Sequence, residues 1–140
     1  MDMKYEDWKQ KFVVENPEKR GIIKGIGDKP LNVLPKADKV VIPAEKFINY
    51  ALDPDKSRGK SVAFREALGY TKDNADMLMS NIRQNVSNFP AISKGDKGCG
   101  ETFAVLMELT GANGKTANVM TSWLDDNKTG KMRLTSAYIK

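Results

Sequence analysis

The 140-residue chain contains no histidine and only one cysteine, Cys99. Histidine is the side chain whose unperturbed pKa lies nearest neutrality, so any proton transfer here must use carboxylates, lysine, tyrosine, the backbone or water. Histidine-based triads and histidine-containing zinc sites are excluded. A lone cysteine cannot form an internal disulfide or a four-cysteine metal site, and no histidine is present to activate it. We interpret Cys99 as an ordinary reduced thiol in a glycine-rich loop.

Long hydrophobic runs are also missing. The N-terminus, Met1-Asp2-Met3-Lys4, has no hydrophobic signal region, so we expect a soluble chain with a cytoplasmic site of action and no membrane partner. The 40% of apolar residues are enough to build one core. With 23 Lys and Arg against 18 Asp and Glu, the net charge of +5 favours a polyanionic partner such as RNA or DNA, or an acidic protein. A basic but inert surface is the alternative.

The N-terminal part of the chain differs from the rest. Tyr5, Trp8 and Phe12 recur at helical spacing, which predicts a short amphipathic helix from Met3 to Val14. From 21 to 39 the helical spacing of apolar residues is lost and Gly, Pro and Lys are frequent, which is typical of an extended connector. We therefore divide the chain into an N-terminal helix and connector, 1–36, and a compact domain, 37–140.

Three helices are predicted at the start of the compact domain. They are Ala44 to Leu52, Lys60 to Leu68 and Lys72 to Val86. A short β-type run, Val40-Val41-Ile42, precedes the first helix, and Pro43 suits its first turn. Gly69 ends the second as a left-handed cap, and Thr71 can cap the third. We interpret the following segment, Asn88 to Gly100, as a long loop that is either a functional flap or a solvated connection.

Beyond Gly100 the apolar period changes from helical to alternating. Alternation runs from Thr102 to Leu109 and again from Ala117 to Trp123, and Asn113-Gly114 between the runs is a strong hairpin signal. A second turn leads into a third strand, Met132 to Ile139. Helices followed by antiparallel strands predict an α+β domain in which N-terminal helices pack on one face of a C-terminal antiparallel β-sheet.

Two segments look like cofactor-binding motifs but lack the neighbouring structure that such motifs require. Gly95 to Gly100 is glycine-rich, but it follows no predicted strand and precedes no predicted helix, as a dinucleotide site or P-loop would require. Asp125-Asp126-Asn127 lacks the spacing and the distal glutamate of a calcium loop. We expect no cofactor and no metal.

The order of short motifs over 38–140 resembles a small domain found at the C-terminus of bacterial polymorphic toxins and phage minor head proteins. The motifs are Val41-Ile42-Pro43-x-x-Lys46, Gly59-Lys60 with Phe64, Ala67-Leu68-Gly69-Tyr70-Thr71-x-Asp73-Asn74, Thr110-Gly111-x-Asn113-Gly114-Lys115, Thr121-x-Trp123 and Arg133-Leu134-Thr135-x-Ala137-Tyr138. Near the N-terminus, Tyr5-Glu6-Asp7-Trp8-Lys9 looks like the segment that precedes such modules in the phage proteins.

The resemblance implies a cytotoxic ribonuclease of the barnase, EndoU, colicin and RelE type, with helices before an antiparallel sheet that carries the active site. It further implies that RNA, and tRNA in particular, is the substrate. An acidic immunity protein would neutralise the toxin, and some toxins of this class depend on a host translation factor. Delivery from a secreted toxin or expression from a prophage fits the same picture.

RNA cleavage without a metal needs activation of the ribose 2′-hydroxyl, stabilisation of the phosphorane and help for the leaving oxygen. We expect Arg133 and Lys60 to clamp the phosphate, because their cations stabilise charge without having to titrate. Tyr138 or Glu108 would transfer the proton. If Arg133 stabilises the phosphorane, Arg133→Ala should lower the rate by on the order of 100-fold.

The hydroxyls of Thr121, Thr135 and Ser122 could orient the 2′-hydroxyl or a phosphate oxygen, and Trp123 offers a face for an unstacked base. Strand propensity and core packing would equally explain the threonines and Trp123, and Arg133 could simply pair with Asp125 or Asp126. A second hypothesis is therefore a non-catalytic phage or prophage module that docks on protein or nucleic acid, or inhibits a host defence complex. The two hypotheses differ in whether the predicted site residues share one face.

Overall fold

The computed structural model describes residues 32–140, in which helices precede a four-stranded antiparallel sheet. The predicted helix from Met3 to Val14 and the part of the connector before residue 32 lie outside this range. Within it, the predicted α+β architecture is confirmed. Leu34 is buried in the core, so the compact region reaches back before residue 37.

The helical elements lie where the sequence pattern predicts them, but their first and last residues differ from the predicted ones. They are α1 (Ala44–Lys46), which continues as a π-helical segment (Phe47–Ala51), α2 (Arg58–Leu68) and α3 (Ala75–Asn85), with 3-10 turns at Ala37–Lys39, Lys72–Asn74 and Val86–Asn88. Gly69 ends α2 with φ 76°, and its N–H donates to Arg65 O. Thr71 forms a capping box with Asn74 before α3, so both predicted caps are confirmed.

The sheet has four strands instead of the three predicted. They are β1 (Ala91–Asp96), β2 (Gly100–Thr110), β3 (Thr116–Asp126) and β4 (Met132–Ile139), paired in the order β1-β2-β3-β4. The interpretation of Asn88 to Gly100 as a loop was wrong, because β1 pairs with β2 there. The exposed residues of β1 give no alternating apolar signal. The predicted run Val40-Val41-Ile42 contributes only an isolated parallel bridge from Val41 to Arg133 on the edge of β4.

The two faces of the sheet have different roles. On the inner face, Val105, Val119 and Leu134 join the buried residues of α2 and α3 in the main core. Alternate residues point to the outer face. In β4 the alternation is interrupted by a bulge: Ser136 pairs with Ser122 and Leu134 pairs with Trp123, which leaves Thr135 as the extra residue. The bulge keeps Leu134 and Ala137 inside, and it turns Tyr138 outward.

The end of α2 abuts the turn between β2 and β3. The N–H of Asn113 donates to Leu68 O over 3.3 Å, and a Cβ at Gly111 would collide with that same carbonyl oxygen. A Cβ at Gly69 would in turn lie 2.9 Å from the Cβ of Asn113. Two of the recognised motifs, Leu68-Gly69 and Gly111-x-Asn113, therefore meet at one junction, where close packing accounts for them without chemistry.

Candidate functional site

The outer face of β3 and β4 presents a row of polar side chains, which we call the polar strip: Ser122, Arg133, Ser136 and Tyr138. Cross-strand pairing places them in order, since Arg133 is opposite Leu124, Ser136 opposite Ser122 and Tyr138 opposite Met120. All four are partly exposed. Three residues predicted from sequence, Arg133, Ser122 and Tyr138, thus share one face. Leu124 and Met120 lie four residues apart on β3, so Arg133 and Tyr138 are separated by about 13 Å along the strip.

Lys60 lies at the Tyr138 end of the polar strip. From the first turn of α2 its Nζ approaches two aromatic rings, 5.7 Å from the centre of the Tyr50 ring and 6.0 Å from that of Tyr138. Both distances are in the range of a cation–π contact. The predicted pair Lys60 and Tyr138 is therefore brought together, although one residue is on a helix and the other on the last strand.

A second lysine reinforces this end. Burial lowers the pKa of Lys60, and the positive charge of Lys46 lowers it further. Within residues 32–140 the ion pairs do not include Lys46 or Lys60, so no carboxylate there neutralises them. We call Lys46, Tyr50, Lys60 and Tyr138 the lysine–tyrosine cluster. Two ammonium groups beside two phenols, with no carboxylate partner among the described residues, form a place where an anion would be stabilised.

The other end of the strip is arranged differently. Arg133 Nη2 lies 3.6 Å from Asp126 Oδ2, and the arginine side chain is 39% exposed. The alternative reading of Arg133 as the partner of a turn aspartate therefore describes its contact in the structure. An ion pair at this exposure contributes little stability. It also holds the guanidinium at the hairpin end, away from Lys60.

Thr121 and Trp123 do not belong to the polar strip. Both point to the inner face of β3, and both are fully buried. The hydroxyl of Thr121 donates to Val105 O and accepts from Trp123 Nε1, each over 2.8 Å. No base can stack on an indole without exposed surface, and no free hydroxyl remains to orient a substrate. In this structure the two residues are core components.

Thr135 and Glu108 are placed beside the strip. The Thr135 hydroxyl, at the bulge, donates to Ser122 O over 3.1 Å and so fixes the bulge itself. Glu108 is exposed on β2 opposite Asn118, and β3 separates it from β4. Of the two proton-transfer candidates, only Tyr138 lies near a cation of the cluster.

Sequence reasoning missed Tyr50 and Ser136 and gave Lys46 no role. A signal was present for two of them, since Lys46 and Tyr50 lie four residues apart in a predicted helix and therefore share a face. Nothing in the sequence shows that this face meets Lys60 and Tyr138. The bridge from Val41 to Arg133 joins the segment before α1 to the edge of β4, a contact between residues far apart in the sequence.

No group of three or more acidic or cysteine side chains able to hold a metal ion is found in 32–140. In the same range no helix is long and apolar enough to cross a membrane. Cys99 is exposed and has no disulfide partner.

Comparison with known proteins identifies a family that covers most of the chain. The model of a family described as a domain of unknown function, DUF6883, matches residues 33–140, which is nearly the whole of the described range. Neither the curated proteins nor the solved structures gave a match.

Proposed function

The chain belongs to the DUF6883 family, and we propose that it is a metal-independent endoribonuclease domain that binds RNA along the polar strip and cleaves it at the lysine–tyrosine cluster. The observation that carries the proposal is the position of Lys60 between Tyr50 and Tyr138, next to Lys46. Such a cluster combines the groups that phosphodiester chemistry needs once histidine and metal ligands are left aside.

Electrostatics provide the first argument. Neither lysine has a carboxylate partner in 32–140, so no ion pair there reduces the attraction of its charged form for a phosphate. Partial burial of Lys60 strengthens that attraction, because charges are screened less where water is excluded. Lowering of its pKa also increases the neutral fraction of Lys60, and a neutral amine can accept a proton.

The cleavage step follows from these groups. Neutral Lys60 takes the proton of a ribose 2′-hydroxyl, whose oxygen attacks the adjacent phosphorus. The bond from phosphorus to the 5′ oxygen breaks, and the Tyr138 hydroxyl donates the proton that the leaving oxygen requires. Lys46 stabilises the negative charge of the phosphorane. The products are a 2′,3′-cyclic phosphate and a 5′-hydroxyl.

The remaining features serve binding. The ring of Tyr50 is half exposed and can stack on an unpaired base, as aromatic residues do in proteins that bind single strands. At the far end of the strip Arg133 can exchange Asp126 for a second phosphate. A single-stranded loop, such as that of a tRNA, fits this arrangement, because its bases are free to stack and its backbone is accessible.

The proposed partners follow from the same charge. An acidic immunity protein would neutralise the toxin by occupying the lysine–tyrosine cluster, whose positive charge it complements. A dependence on a host translation factor belongs to the resemblance alone and has no structural counterpart in 32–140.

One observation favours a second candidate, a binding module without catalysis. The cluster contains no carboxylate, and Arg133 lies about four strand residues from it, so proton transfer there would depend on lysine and tyrosine side chains alone. The same strip would then bind RNA or an acidic protein surface without cleaving it. Binding and cleavage must therefore be measured separately.

The test uses the full chain and total tRNA in the presence of EDTA, with and without cell extract. We expect cleavage to products that end in 2′,3′-cyclic phosphate. Lys60→Ala should reduce the rate by about 100-fold or more, the scale of a lost acid–base group. Lys115→Ala is the control, since Lys115 is an exposed lysine in the β2–β3 turn and is not part of the lysine–tyrosine cluster.

Two results would contradict the nuclease. One is equal activity of Lys60→Ala and Lys115→Ala, and the other is activity that EDTA abolishes and magnesium restores. RNA binding without cleavage, weakened by Lys60→Ala but not by Lys115→Ala, would establish the second candidate in its place.

A further inference from the structure

An apolar patch occupies the outer face beside the polar strip. Leu106 is fully buried and Ala104 nearly so, and Ile92 and Met120 are partly buried against them. This cluster is separate from the main core, because α2 and α3 pack on the opposite face. Its four residues lie on β1, β2 and β3.

A central strand residue on an uncovered face normally remains in contact with water, because its strand neighbours flank it without covering it. Complete burial of Leu106 points to a cover on this face. We propose that the cover is the chain's own N-terminal segment, residues 5–13, docked through its apolar side chains on Leu106, Ala104, Ile92 and Met120.

The place where the described chain begins supports this occupant. The carbonyl oxygen of Asn32 accepts a hydrogen bond of 2.7 Å from the N–H of Ala91, the first residue of β1. The next residue, Ile92, belongs to the patch. The N-terminal part of the chain therefore joins the domain at the border of the patch.

Length and chemistry fit as well. The 18 residues of 14–31 that link Val13 to Asn32 can span up to about 60 Å, whereas four strands measure roughly 15 to 20 Å across. Tyr5, Trp8 and Phe12 recur at the spacing of one helix face. Their burial against the patch would remove apolar surface from water on both sides.

Docking would also bear on the polar strip. Met120 of the patch is the cross-strand partner of Tyr138. A segment seated on Met120 would border the Tyr138 end of the strip and limit the path of a bound strand there. The docking proposal does not depend on the strip binding RNA.

The test uses Trp8 as a reporter in the full chain. Trp8 and Trp123 are its two tryptophans, so Trp123→Phe leaves Trp8 as the sole indole. We expect blue-shifted emission with weak quenching by acrylamide. Adding Ile92→Lys, which puts a charge in the patch, should shift the emission to the value of a solvent-exposed indole. Ile48→Lys is the matched control, because Ile48 is 37% exposed on the π-helical segment, outside the patch, and should leave the emission unchanged.

A solvent-like emission before any change at Ile92, or no response to Ile92→Lys, would overturn the proposal. A blue shift that appears only at high protein concentration, together with a dimer in sedimentation, would assign the patch to a second copy and overturn it equally. If Trp123→Phe prevents folding, hydrogen exchange of the unsubstituted chain decides: residues 5–13 should be protected, and Ile92→Lys but not Ile48→Lys should remove the protection.

Discussion

Trp123 donates its indole N–H to the Thr121 hydroxyl, and that hydroxyl in turn donates a hydrogen bond to the carbonyl oxygen of Val105. Both bonds measure 2.8 Å and are buried. These two hydrogen bonds give the buried side-chain donors of Trp123 and Thr121 partners in the core. Thr121 therefore acts on stability, and its effect can be separated from any effect on RNA.

We expect Thr121→Val to destabilise the fold by about 1 to 3 kcal/mol, the cost of leaving a buried donor without a partner. Valine keeps the shape but offers no acceptor to Trp123 Nε1. Urea denaturation measures the change, and Thr121→Ser, which retains the hydroxyl, is the control. A loss of RNA cleavage at unchanged stability would restore Thr121 to the substrate site.

Arg133→Ala should weaken RNA binding and leave the chemical step nearly unchanged. Held by Asp126 at the hairpin end, the guanidinium is placed to meet a neighbouring phosphate and is distant from the proposed reacting one. We expect KM to rise while kcat holds, and the slope of log affinity against log salt to fall by about 0.7, the value for one single-strand phosphate contact. Arg133→Lys should retain most of the binding.

Kinetics of Arg133→Ala at saturating RNA provide the check. A fall in kcat by on the order of 100-fold, as expected from sequence if Arg133 stabilises the phosphorane, would move the reacting phosphate to this end of the strip.

Lys46→Met should raise the pKa of Lys60 towards its ordinary value. It removes the repulsion between the two charges, while burial, the larger cause of the shift, remains. NMR titration of the Lys60 ammonium group measures the change, and Lys39→Met, which removes a lysine that does not act on Lys60, is the control. No change in the Lys60 titration would show that the two lysines are not coupled.

The same shift has a consequence for stability. Because the pKa of Lys60 is lower in the folded chain, the unfolded chain binds more protons at a pH between the two values. Stability therefore rises with pH through that window, and the gain is lost as pH falls through the folded pKa. Lys46→Met should bring the folded pKa of Lys60 closer to the unfolded one, so the pH range over which stability rises becomes narrower.

Gly111→Ala should destabilise the domain by about 1 to 3 kcal/mol, the cost of forcing an extra group into a packed site. The new Cβ would meet the carbonyl oxygen of Leu68, which is backbone and cannot swing away. Gly59→Ala is the matched control, since it lies in α2 with no atom within 4 Å of its Cβ. We expect it to stabilise by up to about 1 kcal/mol. Equal melting temperatures for the two variants would contradict the close packing of Gly111 against the end of α2.

Local rules account for much of the fold. Gly69 specifies a cap and Gly114 a turn through their positive φ, and the Asn113 side chain supports the turn by accepting from Lys115 N–H; both predictions are confirmed. β1 was missed because its last four residues are exposed and include Lys94 and Gly95, so apolar and polar residues do not alternate along it. Its pairing with β2 makes it a strand.

The face of each β4 residue could not be predicted, for a definite reason. Strict alternation from Leu134 puts Tyr138 in the core, but the extra residue Thr135 reverses the order after it. A bulge forms between two strands, so neither sequence shows it alone. The same limit applies to Lys60 and Tyr138, which are brought together by tertiary packing.

The two edges of the sheet also affect whether copies of the molecule can associate through their strands. The β4 edge is occupied near Arg133 by Val41, whose N–H and carbonyl bond to the backbone of Met132 and Leu134. β1 instead carries Lys94 as the extra residue of a bulge, followed by Gly95. A charged, kinked edge is a poor template for strands of a neighbouring chain, and a covered edge offers few free hydrogen-bonding groups. At high protein concentration, these features oppose the ordered stacking of sheets that leads to fibrils.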